Sequence, residues 1–119
     1  MRVRLCHAQH IPAGGARGFD PAGSGRDTMF VVRSTGAWRA WRNSCPHWQG
    51  TPMAWRKDAY LTGDGRQIRC SAHGALFDLE SGLCTLGPCV GESLTPVPLI
   101  QTADGHLEVD LGDIQETPQ

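Results

Sequence analysis

Two short stretches constrain this chain more than any others. "NSCPHWQG", residues 43–50, sets Cys45 and His47 on either side of Pro46. "RCSAHGALF", residues 69–77, sets Cys70 and His73 two residues apart. Four metal-ligating side chains therefore arrive in two pairs, with 22 residues (48–69) between them. If they grip one object, the fold must carry two distant loops to one place.

The rest of the chain suits such loops. Fifteen glycines and eight prolines in 119 residues favour turn-rich β structure over helix bundles. Apolar runs are short and bounded by turn signals, and no 3.6-residue periodicity is evident. "VRLC" (3–6) reads as an edge strand and "PAGGARGFDPAGSGRD" (12–27) as a loop, with a short strand near Phe19. "TMFVVRS" (28–34) and "AWRAWRN" (37–43) form a hairpin about Thr35-Gly36. In the second of these, Trp38 and Trp41 differ in parity and face opposite sides. "AYL" (59–61) and "QIRC" (67–70) flank a turn, and "LFDL" leads to the turn "ESG" (80–82). "VPLIQTA" (97–103) and "HLEVDL" (106–111) close the chain as a hairpin, followed by a frayed tail. The expectation is one all-β domain, 1–119, an antiparallel sandwich with a small two-loop subdomain at about 44–90.

No apolar run approaches the roughly 18–20 residues that cross a bilayer, so no membrane role is expected. "MRVRLCHAQH" lacks the apolar core of a signal peptide, which predicts a cytoplasmic setting with reduced thiols. Five cysteines, an odd number, also argue against a complete disulfide framework. Residues 1–69 hold all eleven basic side chains and four acids, whereas 70–119 hold eight acids and no base. The two halves are expected to interleave and mix these charges; the alternative is a basic and an acidic face that orient partner docking. The arginines are scattered, which argues against nucleic acid. No nucleophile–base pair, phosphate loop or dinucleotide fingerprint is present, so no catalytic residue is assigned.

Three metal readings compete for the loops. A structural zinc would take all four side chains, but zinc-finger spacing pairs cysteine with cysteine and histidine with histidine. A mononuclear iron or copper site would want carboxylates, open positions or a weak axial ligand, and the loops offer none. A two-iron cluster fits best, with Cys45 and Cys70 on one iron and His47 and His73 on the other, one ligand of each kind from each loop. Gly50 and Gly74 would let the backbone pack closely and offer N–H groups to sulfur.

These residues resemble the Rieske-type [2Fe-2S] ferredoxin family. The likeness rests on "RNSCPHW" (42–48), "CSAHGALFD" (70–78), "SG" (81–82) and "GP" (87–88), and "IPAGGARGF" (11–19) extends it over nearly the whole chain. The resemblance implies the four ligands just named, with the histidines bound through one ring nitrogen. It also implies a covering loop at Gly87-Pro88. The interval between the loops is longer than is usual in the family; "KDAYLTGDGR" (57–66) is expected to absorb the excess as a longer hairpin. The respiratory subfamily carries a disulfide across the cluster, where this chain has Gly50 and Ala72. It also carries Ser and Tyr hydroxyls near the cluster sulfurs, where this chain has Ala75 and Phe77. Fewer donors imply a low potential.

The resemblance further implies a one-electron carrier, not an enzyme, passing electrons from a flavin-dependent reductase to an oxygenase or related enzyme. The alternatives are an accessory subunit of a larger reductase, of the nitrite reductase small-subunit type, and a structural zinc module. A Rieske oxygenase would need a further large domain, which 119 residues are too few to hold. Among the remaining residues, Trp48 would shield the cluster or present a docking surface. Trp38, Trp41 and Trp55 read as core or sheet-face residues, and Cys6 as core. His7 and His10 read as solvated, His106 as structural and Asn43 as a turn residue. Cys84 and Cys89 read as buried thiols, with a local disulfide as the alternative.

Overall fold

The structure is a computed structural model that describes residues 1–34, 36–46, 52–72 and 74–114. Ten strands follow in chain order: β1 (Arg2–His7), β2 (Ala16–Phe19), β3 (Met29–Ser34), β4 (Ala37–Arg42), β5 (Gln67–Arg69), β6 (Leu76–Asp78), β7 (Cys84–Leu86), β8 (Pro96–Val97), β9 (Ile100–Gln101) and β10 (His106–Asp110). A single 3-10 turn (Ala8–His10) and a four-residue helix α1 (Leu111–Ile114) complete the described elements. The strands form three antiparallel sheets, ordered β1-β10-β9, β2-β3-β4-β8 and β5-β6-β7. The antiparallel, all-β expectation is met.

β3 organises the layers. Its run Met29–Val32 is apolar throughout because both faces are covered. Met29 and Val31 enter a core shared with β1 and β10, through Leu107 and Val109. Phe30 and Val32 enter a second core shared with β5 and β6, through Ile68 and Phe77. The β2-β3-β4-β8 sheet is therefore the middle wall, with one small sheet packed on either side. β4 repeats the logic: Trp38 packs against the first core with Ala40, whereas Trp41 is buried in the second. The parity argument for the two tryptophans holds. Phe30 stacks on Tyr60 with ring centroids 4.1 Å apart, a contact worth about 0.5–1.5 kcal/mol beyond its burial.

Two expectations change. The closing run 97–103 is not one strand. β8 pairs with β4 and β9 pairs with β10, so the chain crosses between sheets around Pro98, which has no N–H to continue a ladder. The segment after β10 is not wholly frayed, because Ile114 is buried in the first core; residues 115–119 lie outside the described residues. The long interval before Cys70 does form a hairpin, with Leu61 bridging Ile68 and the Thr62 N–H donating to the Gln67 carbonyl at 2.9 Å, and its first residues are tied down as well. Lys57 Nζ donates to the Gly18 carbonyl at 2.8 Å, and the Gly18 N–H donates to Asp58 Oδ1 at 2.8 Å. The extra chain is thus strapped to β2. Asp58 holds a left-handed φ of 65° at that strap.

The charged halves do interleave. Arg39 pairs with Glu80 at 2.8 Å and Arg4 with Glu108 at 3.4 Å. Such exposed pairs contribute about 0–1 kcal/mol each.

Candidate metal centre

The first ligand loop leaves β4 and is closed at its base by one side chain. Asn43 Nδ2 donates to the Asp27 carbonyl at 2.9 Å, and Asn43 Oδ1 accepts the Met53 N–H at 2.8 Å. Its own N–H donates to the Thr28 carbonyl at 2.9 Å. An amide side chain carries both a donor and an acceptor, so it can hold the two flanking segments together. Asn43 does more than bond its own turn. Within the loop, Cys45 is fully buried; His47, Trp48, Gln49, Gly50 and Thr51 lie outside the described residues.

The second ligand loop joins β5 to β6. The Cys70 N–H donates to the Ala75 carbonyl at 2.9 Å, and the Gly74 N–H donates to the Cys70 carbonyl at 2.7 Å. Gly74 has φ 72° and open space where a Cβ would stand. Its glycine is required by backbone conformation and not by close packing, and its N–H already serves Cys70. Both points correct the role expected from sequence. Cys70, Ala75 and Phe77 are fully buried, Ala72 is exposed, and His73 lies outside the described residues.

The two loops are bonded to each other. The Ser71 N–H donates to the Met53 carbonyl at 2.8 Å, next to one proposed ligand and at the far end of the other loop. Cys45 and Cys70 belong to one buried cluster with Met53, Ala75 and Phe77. Two of the four proposed ligands are thus assembled in one buried core. Among the described residues no three His, Cys, Asp or Glu side chains form a metal-holding group. The buried cluster around the site holds four thiols, Cys45, Cys70, Cys84 and Cys89, and no carboxylate; only Cys45 and Cys70 stand beside a histidine in sequence, which fits a donor set completed by two histidines.

A third loop presses on the second. Gly87 has φ 108°, and a Cβ there would stand 2.9 Å from the Ala75 Cα. Only glycine permits both that backbone conformation and that approach. Pro88 follows and is exposed. The sequence signal here was Gly-Pro.

A family model described as the Rieske [2Fe-2S] domain matches residues 1–104. The chain belongs to that family. No curated protein matches it by sequence. Solved Rieske structures match closely in shape. The ferredoxin of carbazole 1,9a-dioxygenase from Nocardioides aromaticivorans IC177 is 24% identical with a TM-score of 0.68, over 92% of this chain and 96% of that one. A Sphingomonas yanoikuyae B1 ferredoxin is 22% identical with a TM-score of 0.69, over 92% and 98%. A Mycobacterium tuberculosis protein reported as an NADH-dependent nitrite reductase small subunit is 20% identical with a TM-score of 0.64, over 92% and 93%. At these identities the likeness is one of fold.

Within this Rieske domain several residues depart from the sequence reading. Trp55 is neither core nor sheet-face: it is 70% exposed, with the Arg56 guanidinium 4.7 Å from its ring centroid. His7 caps the 3-10 turn, its Nδ1 accepting the Gln9 N–H at 3.1 Å, and packs edge-on against His106 at 5.1 Å. Cys6 is core, as expected. No cysteine is in a disulfide. Cys84 and Cys89 are both buried, but their sulfurs stand 3.0 Å apart, a closeness that spacing alone could not reveal. Burial first, then the neighbouring Cys84, pushes the Cys89 thiol up to about 12.

Proposed function

We propose that this Rieske domain is a small electron-transfer protein holding one [2Fe-2S] cluster on Cys45, Cys70, His47 and His73. When bound, such a cluster takes up and releases one electron. The observation that carries the reading is the Ser71–Met53 bond, which fixes two loops so that Cys45 and Cys70 share one buried core. The described residues around the site exclude water and hold the loops; they provide no acid–base machinery. Residues of about 44–90 act as the cluster-binding part, with the loop at Gly87 and Pro88 as its cover. Trp48 and Gly50 flank the first pair of ligands in sequence.

The redox partners we infer are a flavin-dependent reductase as donor and an oxygenase or related enzyme as acceptor. Structures of carbazole 1,9a-dioxygenase oxygenase–ferredoxin complexes contain chains of this fold, which supports that choice. The setting is cytoplasmic, where thiols are kept mainly reduced and a disulfide, when it forms, is transient. Among the described residues no helix is long and apolar enough to cross a membrane. The test is reduction by NADH through a flavoprotein reductase, followed by turnover with a Rieske oxygenase. His73→Ala is expected to abolish both the visible spectrum and the turnover. Full turnover without that spectrum would overturn the proposal.

A second reading has its own support in the nitrite reductase small-subunit likeness: an accessory subunit of a larger reductase. Co-purification from the native host separates the two, since a tight stoichiometric complex with a reductase favours the subunit.

A further inference from the structure

β7 and the loop after it form an exposed strap in which the cysteines face inward. Leu83, Leu86 and Val90 are exposed, as are Thr85, Gly87 and Pro88, while Cys84 and Cys89 are each only 2% exposed. The strap closes on itself through the Cys84 N–H to the Glu92 carbonyl at 2.8 Å and the Glu92 N–H to the Cys89 carbonyl at 2.9 Å. These bonds hold both cysteines at the neck of one loop. Cys84 Sγ and Cys89 Sγ are 3.0 Å apart, about 1 Å beyond a disulfide bond. Neither residue is among the proposed cluster ligands, although both share the buried cluster of Cys45 and Cys70.

We propose that Cys84 and Cys89 are a reversible dithiol–disulfide couple, oxidised by a small-molecule disulfide of the glutathione type. One cysteine, as thiolate, attacks the glutathione disulfide, whose S–S bond breaks and releases one glutathione. The second cysteine then displaces the other glutathione from the mixed disulfide. The protein loses two electrons and two protons as its S–S bond forms, and both are carried by two molecules of reduced glutathione. An exposed loop covers them on one side, and a local opening of that loop admits the oxidant. Closure locks the same loop that Gly87 presses against Ala75.

The sequence supplies a clean assay. Cleavage after Glu80 and Glu92 releases residues 81–92, which contain Cys84 and Cys89 and no other cysteine. The intact, iron-loaded protein is equilibrated in glutathione buffers, quenched with maleimide in denaturant and digested. Unlabelled 81–92, about two mass units lighter than the dithiol, is the closed form. Its fraction is expected to rise from below one tenth to above nine tenths over about a hundredfold change in the ratio of oxidised glutathione to the square of reduced glutathione. Excess dithiothreitol is expected to return it to the doubly labelled form. The proposal is overturned by double labelling at every ratio, by a persistent single glutathione adduct, by a link to Cys45 or Cys70, or by closure that resists dithiothreitol. The readout does not depend on which metal the protein carries, so it can fail without the electron-carrier reading failing, and the reverse.

Discussion

Met53 and Ser71 are joined backbone to backbone, the Ser71 N–H donating to the Met53 carbonyl at 2.8 Å. Met53 ends one ligand loop and Ser71 lies inside the other. The bond makes two loops far apart in sequence into a single two-sided clasp, and Met53 is itself held by Asn43.

Asn43→Ala removes that hold. It leaves the Met53 N–H and the Asp27 carbonyl without their present partner in a half-buried setting. The expected cost is about 1–3 kcal/mol of stability. Urea denaturation should show it, together with a lower iron content per chain after gel filtration. An unchanged midpoint would remove Asn43 from the account.

Gly87→Ala should be worse than Gly74→Ala. Both positions have left-handed backbone, which costs a non-glycine residue about 1–2 kcal/mol. Only Gly87 adds a close contact, with the Ala75 backbone; Gly74 faces open space. Thermal melts of the two variants check the ranking, and equal losses would contradict the packing of the third loop on the second.

The absence of hydroxyls at Ala75 and Phe77 predicts a reduction potential toward the low end of the Rieske range of roughly −150 to +300 mV. Ala75→Ser and Phe77→Tyr are expected to raise it, because each would place a donor in the buried site. Protein-film voltammetry decides; a wild-type midpoint above about +100 mV would overturn this reading.

Asp78 anchors the turn that carries the strap. The Ser81 N–H and then the Ser81 hydroxyl bond its carboxylate and hold its pKa below the usual carboxylate value. A depressed folded-state pKa means the contribution is present above the unfolded value, near 3.9, and is lost as pH falls through the folded one. Asp78→Asn should therefore melt below wild type at pH 6, with the gap closing below about pH 4. A gap of constant size from pH 6 to pH 3 would show that the charge plays no part.

The sequence made the two Cys/His loops and the sheet-rich fold legible because both rest on local pattern. Cys45 and Cys70 are spaced by loop chemistry, and the hairpin at Gly36 is set by its turn. What stayed hidden depends on contacts between distant segments. The strap of Lys57 and Asp58 onto Gly18 could not be read, since nothing local to 57–66 names its partner. The split between β8 and β9 hid inside one apolar run, "VPLI". Trp55 looked like core by residue type, yet the chain leaves the core after Ala54, which still packs against it. The Cys84–Cys89 proximity needed the loop neck closed by Glu92, which is a tertiary fact.

The most direct measurement is metal and sulfide content of protein purified anaerobically after expression with ample iron. The account predicts about two irons and two acid-labile sulfides per chain, with a rhombic EPR signal on dithionite reduction. One zinc per chain, no sulfide and no EPR signal would contradict it.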